Sequence, residues 1–271
     1  MQFLQKLFQI LEFQMPTPKL FGWYHILWLL LTVAVTWLLC FLYKKGKIQK
    51  PERVVWIVAV IVAVLEVYKQ VIMCCGFDEW GLFHYEYQWY ILPWQFCSMP
   101  LYVGLLAGIL RGKARNYMHC FLATYAIFGG LTVMVYPAQV FNSTAGLVVQ
   151  SMICHASMIV VGVFLFYTGL VKTEFKSLFK GSVIFVSSLA VALGINEWAY
   201  RAGIMEGQHR VNMFYVSPYC EPSLPVYSIV QAHVPFPWCL LIYIAGFVAV
   251  ACIILLVAML CKKLAARKKV A

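Results

Sequence analysis

Along the chain, long apolar runs alternate with short polar connections, and the runs are too long to be strands. Seven of them, at about 23–43, 54–74, 90–110, 117–136, 148–170, 182–200 and 238–260, reach the ~20 residues with which a helix crosses a hydrocarbon core of ~30 Å. Lipid offers no partner to an unpaired backbone group, so each run predicts a helix. A transmembrane β-barrel would show ~10-residue alternating segments instead. The expected fold is all-α, a polytopic bundle of seven transmembrane helices over residues 21–261.

Outside the runs the pattern changes. Leu4, Leu7, Phe8 and Leu11 recur at helical spacing, with Gln5, Gln9 and Glu12 on the opposite side. This predicts an amphipathic helix within residues 1–20 that lies in the membrane interface and is stopped by Pro16 and Pro18. The segment has no long apolar h-region and no small-residue cleavage site, so it does not read as a signal peptide. Residues 262–271 form a short basic tail.

Composition agrees with a membrane class. The 271 residues are 63% hydrophobic and only 11% charged. A soluble domain carries roughly twice that charged fraction. The formal charge of +11 comes mostly from alternate connections: Lys44, Lys45, Lys47, Lys50 and Arg53; Arg111, Lys113 and Arg115; Lys172, Lys176 and Lys180; and the tail with Lys262, Lys263, Arg267, Lys268 and Lys269. By the positive-inside rule this face is cytoplasmic, which places the N-terminus outside and the C-terminus inside. The charge is therefore a topology signal and not a nucleic-acid surface, and a plasma membrane location is expected. The outer face carries the acidic and aromatic run 78-DEWGLFHYEYQWY-90 and a long connection from Arg201 to about Pro237. Most of the ten cysteines fall within the runs, and the sequence leaves open a bridge from Cys74 or Cys75 to Cys220. No cofactor or metal motif appears.

Ionisable groups within spans are costly and by default face the bundle interior. Sequence position converts to depth at ~1.5 Å per residue. Cys97 and His155 each lie roughly 10 Å below the outer end of their runs, and Glu66 roughly 12 Å. Gln95 and Asn196 fall slightly nearer the surface. Four helices thus bring a thiol, an imidazole, a carboxylate and amides to one layer. A thiol becomes a good nucleophile as thiolate, and an imidazole can accept its proton. Glu66 or Asn196 would orient the imidazole, as the third member of a triad. Pro93 suits a first helical turn, which puts Cys97 near the positive end of the macrodipole, and Pro100 should kink the helix beside it. Plainer readings stand beside these. Cys97 serves equally as a packing residue, His155 and Asn196 as interhelical hydrogen bonders, and Glu66 as a partner for Lys69. Likewise Glu197 can pair with Arg201. His25 is either an interfacial anchor or a cavity residue. His84, His119 and His209 read as boundary or loop residues.

The run 91-ILPWQFCSMPLYVGLL-106 resembles the central motif of the YwaF-type integral membrane protein family. That family is related to eukaryotic transmembrane cysteine-dependent acyltransferases acting on ether phospholipids. The likeness continues through 22-GWYHI-26, Glu66, Tyr136-Pro137, 154-CHAS-157 and 196-NEWAY-200, and covers roughly residues 20–260. Trp94 and Gln95 stand where bacterial members commonly have Leu-His, and Ala138 where an acidic residue often follows the proline. The resemblance implies an acyl-enzyme mechanism on membrane phospholipid and lysophospholipid, with no cofactor. Cys97 would be the nucleophile and His155 the base and acid, with Glu66 and Asn196 completing the catalytic set. Gln95, His25, Tyr136 and Trp94 would contact substrate. The alternative is a seven-helix transporter, or a receptor-like binder of a lipophilic ligand, using the same polar layer.

Overall fold

The computed structural model describes residues 2–205, 210–221 and 224–267, and over these the chain is an all-α polytopic membrane protein. Helix α1 (Gln2–Leu11) precedes α2 (Trp23–Lys44) and α3 (Pro51–Cys74). A small antiparallel hairpin, β1 (Cys75–Phe77) and β2 (Phe83–Tyr85), follows. Then come α4 (Met99–Ile109), α5 (Gly112–Phe121) and α6 (Ile127–Val135), the last two fused through a π-helical turn at Leu122–Ala126. The chain continues with α7 (Ala145–Thr168), α8 (Phe175–Arg201), α9 (Pro225–His233) and α10 (Phe236–Arg267). Among the described residues, six helices are long and apolar enough to cross a membrane: α2, α3, the fused Gly112–Val135 helix, α7, α8 and α10. His209, Lys268 and Lys269 lie outside the described residues.

The third expected span differs. A 3₁₀ turn at Trp89–Ile91 gives way to non-helical backbone, with Leu92 at ψ 124° and Gln95 at ψ 160°. Helical structure resumes at Phe96 and runs to Ile109, roughly 20 Å and short of the ~30 Å core. The cause is local. The residue before a proline is pushed to extended backbone, so Pro93 excludes Leu92 from a helix instead of opening one. Pro100 then sits in the first turn of α4, where its missing N–H would have had no partner anyway, so it starts the helix and does not kink it.

Helix packing in lipid depends on close approach because no hydrophobic force drives helices together there. A Cβ at Gly104 would stand 2.7 Å from that of Ala59, and one at Gly130 would stand 2.6 Å from the His155 carbonyl oxygen. These glycines let α4 lie against α3 and α6 against α7. The core between the helices is aromatic. Phe96 touches Phe121, Phe185, Phe214 and Phe247 with centroids 4.9–6.2 Å away.

Contacts at the two ends sort the connections. At one end Lys180 donates to Asn116, Asn116 to the Leu170 carbonyl, and Tyr43 to the Thr168 carbonyl. The basic connections 44–50, 111–116 and 169–180 are thereby gathered together. At the other end α1 rests on the hairpin through Phe8, which packs edge-on against Phe77 and Phe83. The Tyr68 hydroxyl donates to the Leu11 carbonyl. Phe3, Leu4, Leu7 and Ile10 of α1 remain exposed. Cys74, Cys75 and Cys220 are free thiols, and among the described residues no disulfide forms.

Candidate active site

Cys97 occupies the 3₁₀ turn Phe96–Ser98 that opens α4, so the thiol sits on the first turn of a half-helix inside the bundle. It is partly buried, beneath Phe96 and its aromatic neighbours. Irregular backbone at membrane depth is tolerated only where protein or a cavity covers it. Segment 92–95 meets that condition. The Trp94 indole donates to the Ser188 carbonyl and packs at a tilt against Tyr102, and the Gln95 amide is bonded at both ends.

His155 lies ten residues into α7, roughly 15 Å from the helix start, and is buried. Its Nδ1 is 2.7 Å from the Ser151 carbonyl oxygen. A carbonyl only accepts, so the proton resides on Nδ1 and Nε2 presents a lone pair. That is the tautomer of a general base. Glu66 belongs to a different contact set. Its Oε1 pairs with Lys69 at 2.7 Å and accepts from Gln70 at 2.8 Å, which in turn donates to the Ile91 carbonyl. The backbone of Ser151, and not Glu66 or Asn196, therefore orients His155. Cys97 and His155 share no hydrogen bond among the described residues. Such bonds are often long before substrate binds.

Asn196 and Gln95 clamp a loop that the sequence did not reveal. The Asn196 amide donates to the Met213 carbonyl at 3.0 Å and accepts from the Met213 N–H at 2.7 Å. Gln95 donates to the Asn212 carbonyl and accepts from the Phe214 N–H. Tyr243 donates to the Phe214 carbonyl. Residues 211–217 consequently dip into the bundle, with Met213 and Phe214 fully buried. Phe214 and Tyr215 adopt φ of 57° and 58°, a left-handed backbone costly for such side chains. The available signal was the apolar run 211-VNMFYV-216 inside an otherwise polar connection.

The remaining residues separate from this centre. His25 is fully buried, accepts from the Phe21 N–H at Nδ1 and donates from Nε2 to the Met134 carbonyl, tying the start of α2 to the end of α6. Tyr136 is 61% exposed beyond the last turn of α6. Cys154, overlooked in the sequence, accepts from Gln150 at 3.3 Å. Glu197 pairs with Arg201 at 2.6 Å. No cluster of three or more His, Cys, Asp or Glu suited to a metal gathers among the described residues.

The fold defines a multi-pass helical membrane protein with Cys97 on the first turn of a short apolar helix and buried His155 and Glu66 on α7 and α3. Its relationship is equally definite. The model of the TMEM164 family matches residues 20–259, and the chain belongs to that family. Neither a curated protein nor a solved structure matches it.

Proposed function

We propose that this protein is a membrane acyltransferase that moves a fatty acyl chain from a phospholipid to a lysophospholipid through a thioester on Cys97. The observation that carries the reading is the half-helix, whose first turn presents a thiol inside the bundle. The macrodipole there favours a thiolate. His155, with its free Nε2, is the base in the same layer. In the first step Nε2 takes the Cys97 proton and sulfur attacks the ester carbonyl. The ester C–O bond breaks, and the departing lysophospholipid oxygen receives the proton from the imidazolium. In the second step an acceptor hydroxyl gives its proton to Nε2 and attacks the thioester, which frees the thiol. The Glu66–Lys69 pair, bonded to Gln70, holds α3 to the segment that precedes Cys97. Asn196 and Gln95 act as positioning residues through the loop they hold, with Trp94 bracing the segment before Cys97. The motif's likeness to YwaF-type proteins and their cysteine-dependent acyltransferase relatives supports the same chemistry.

The topology that fits is seven crossings, counting the half-helix, with the basic end in the cytoplasm and the site in the outer leaflet of the plasma membrane. Half-helices whose N-termini face a midplane site also occur in transporters, so the rival reading has one structural feature in its favour. One experiment separates them. The purified protein in liposomes of labelled phospholipid should gain one fatty acyl mass on the peptide containing Cys97, and Cys97→Ala should abolish both the adduct and acyl transfer. Full transfer by Cys97→Ala, or solute flux lost on Glu66→Gln but indifferent to Cys97→Ala, would sink the proposal.

A further inference from the structure

Helices α3 and α4 pack antiparallel, because Gly104 faces Ala59 and, one turn nearer the basic end, Gly108 faces the Trp56 ring. That register decides what stands opposite the thiol. Cys97 lies seven residues from Gly104 towards the hairpin end, and Glu66 lies seven residues from Ala59 in the same direction. Each interval is about 10 Å of helix, so Cys97 and Glu66 occupy one level. Lys69 follows Glu66 on the same side of α3, roughly 4.5 Å nearer the hairpin end. The Ile91 carbonyl accepts from Gln70 at 2.9 Å, so the chain meets α3 at the level of Lys69 and Gln70 before it descends to Cys97.

An ammonium within a span is costly and by default serves the bundle interior or a functional site. Lys69 pairs with Glu66 Oε1 at 2.7 Å, and Gln70 donates to the same oxygen at 2.8 Å. The ammonium carries three N–H donors, and among the described residues Glu66 is the acceptor bonded to it. The Lys69 side chain is 24% exposed, so its other donors are open to an incoming acceptor.

We propose that Lys69 binds the phosphate of the glycerophospholipid whose acyl ester reaches Cys97. The inference rests on the acyl-transfer reading and adds to it the residue that recognises the head group. In such a lipid the phosphate lies on the polar side of the acyl carbonyls, with the glycerol and its ester oxygens between them. The protein repeats that order, with the ammonium towards the surface and the thiol one turn deeper. A lysine binds phosphate as a point charge, and the attraction strengthens where water is scarce. Pairing with Glu66 makes the cation tolerable within the span and holds it in place. A diacylglycerol offers the ammonium no anion, so Lys69 favours phospholipid donors over neutral ones.

Competition between two donors tests this. The full-length protein, in liposomes holding a phosphatidylcholine and a diacylglycerol with distinguishable acyl chains, should form Cys97 adducts mainly from the phosphatidylcholine. Lys69→Gln should lower the ratio of the two adducts ~tenfold or more, the scale of one hydrogen bond to a charged group, and Lys69→Arg should restore most of it. Both donors compete for one thiol, so a general loss of folded protein or of thiol reactivity leaves the ratio unchanged. The double variant Glu66→Gln with Lys69→Gln leaves no lone carboxylate behind and should show the same low ratio. A ratio like that of the wild type in either charge-free variant would overturn the assignment and leave Lys69 as a partner for Glu66 alone. Separately, native mass spectrometry of Cys97→Ala protein should show phosphatidylcholine retained over diacylglycerol, with the preference lost on adding Lys69→Gln. Equal retention of the two lipids, or displacement of the phospholipid by inorganic phosphate, would also overturn a lipid-phosphate site. Retention that depends on Lys69, with no Cys97 adduct from either donor in the wild type, would support the phosphate site and overturn acyl transfer instead.

Discussion

Asn196→Ala tests the clamp on loop 211–217. The substitution removes one donor and one acceptor, both bonded to the backbone of fully buried Met213; the N–H is left without a partner, while the C=O keeps only the long bond from the Val216 N–H at 3.4 Å. An orphaned buried group costs about 1–3 kcal/mol, which applies to the N–H. Measured side-chain hydrogen bonds within membranes average only ~0.6 kcal/mol, which sets a floor near 1.2 kcal/mol for two. The loop already stores strain at Phe214 and Tyr215, about 1–3 kcal/mol for each left-handed residue, so opening releases energy as well as exposing backbone. At 1.4 kcal/mol per factor of ten, even the floor gives roughly a sevenfold rise in the open population, and 2 kcal/mol gives nearly thirtyfold. Hydrogen exchange by mass spectrometry in nanodiscs should show this rise for amides 211–217 but not for the middle of α10. Asn196→Asp keeps the acceptor for the Met213 N–H and should fall between. Exchange within a factor of ~2 of wild type would refute the clamp, since that lies below the hydrogen-bond floor. An equal rise in α7 and α10 would show global loosening instead.

Other outcomes follow from the same contacts. His155→Ala should slow acyl transfer in liposomes by about 10²–10⁴, the range of general acid–base catalysis, and a loss under threefold would remove His155 from the mechanism. Gly104→Val should destabilise the α3–α4 contact by about 1–3 kcal/mol, read as a lower Tm in detergent, and Ala59→Gly should restore part of it. Tyr219 donates to Glu197 and stacks on Tyr200. The carboxylate holds its phenol above the ordinary range, so the contact's contribution is complete at neutral pH and disappears as pH rises through the raised value. Glu197→Gln should move the phenolate absorbance titration of Tyr219 downward.

The six long helices were legible because apolar length alone determines them, and their observed bounds lie within a few residues of the expected ones except where polar turns extend α8 and α10. The half-helix was not, because residues 90–110 are apolar throughout and a hydropathy window is blind to the backbone demand of Leu92-Pro93. The Glu66–Lys69 pair was readable from its spacing of three. Asn196 and Gln95 were placed at a fitting depth, but depth leaves rotation about the helix axis undetermined. Both amides turn towards a loop more than ten residues away along the chain. His25 illustrates the same point from the other side. Its position at the head of α2 suited a cavity, while both ring nitrogens are bonded to backbone groups.

The acyl transfer proposed for Cys97 requires closure against water. A thioester serves transfer only where water is scarce, because hydrolysis competes with the acceptor. The loop meets that need from the end opposite the basic connections. Phe214 is fully buried, packs 5.9 Å from Phe96 and is fastened by Gln95 and Tyr243. A backbone held in two successive left-handed residues persists only where its surroundings over-determine it, and five side-chain hydrogen bonds onto residues 212–214 do so here. The interruption at Pro93 thus presents the thiol on a helix N-terminus next to Phe96, the ring against which that loop packs.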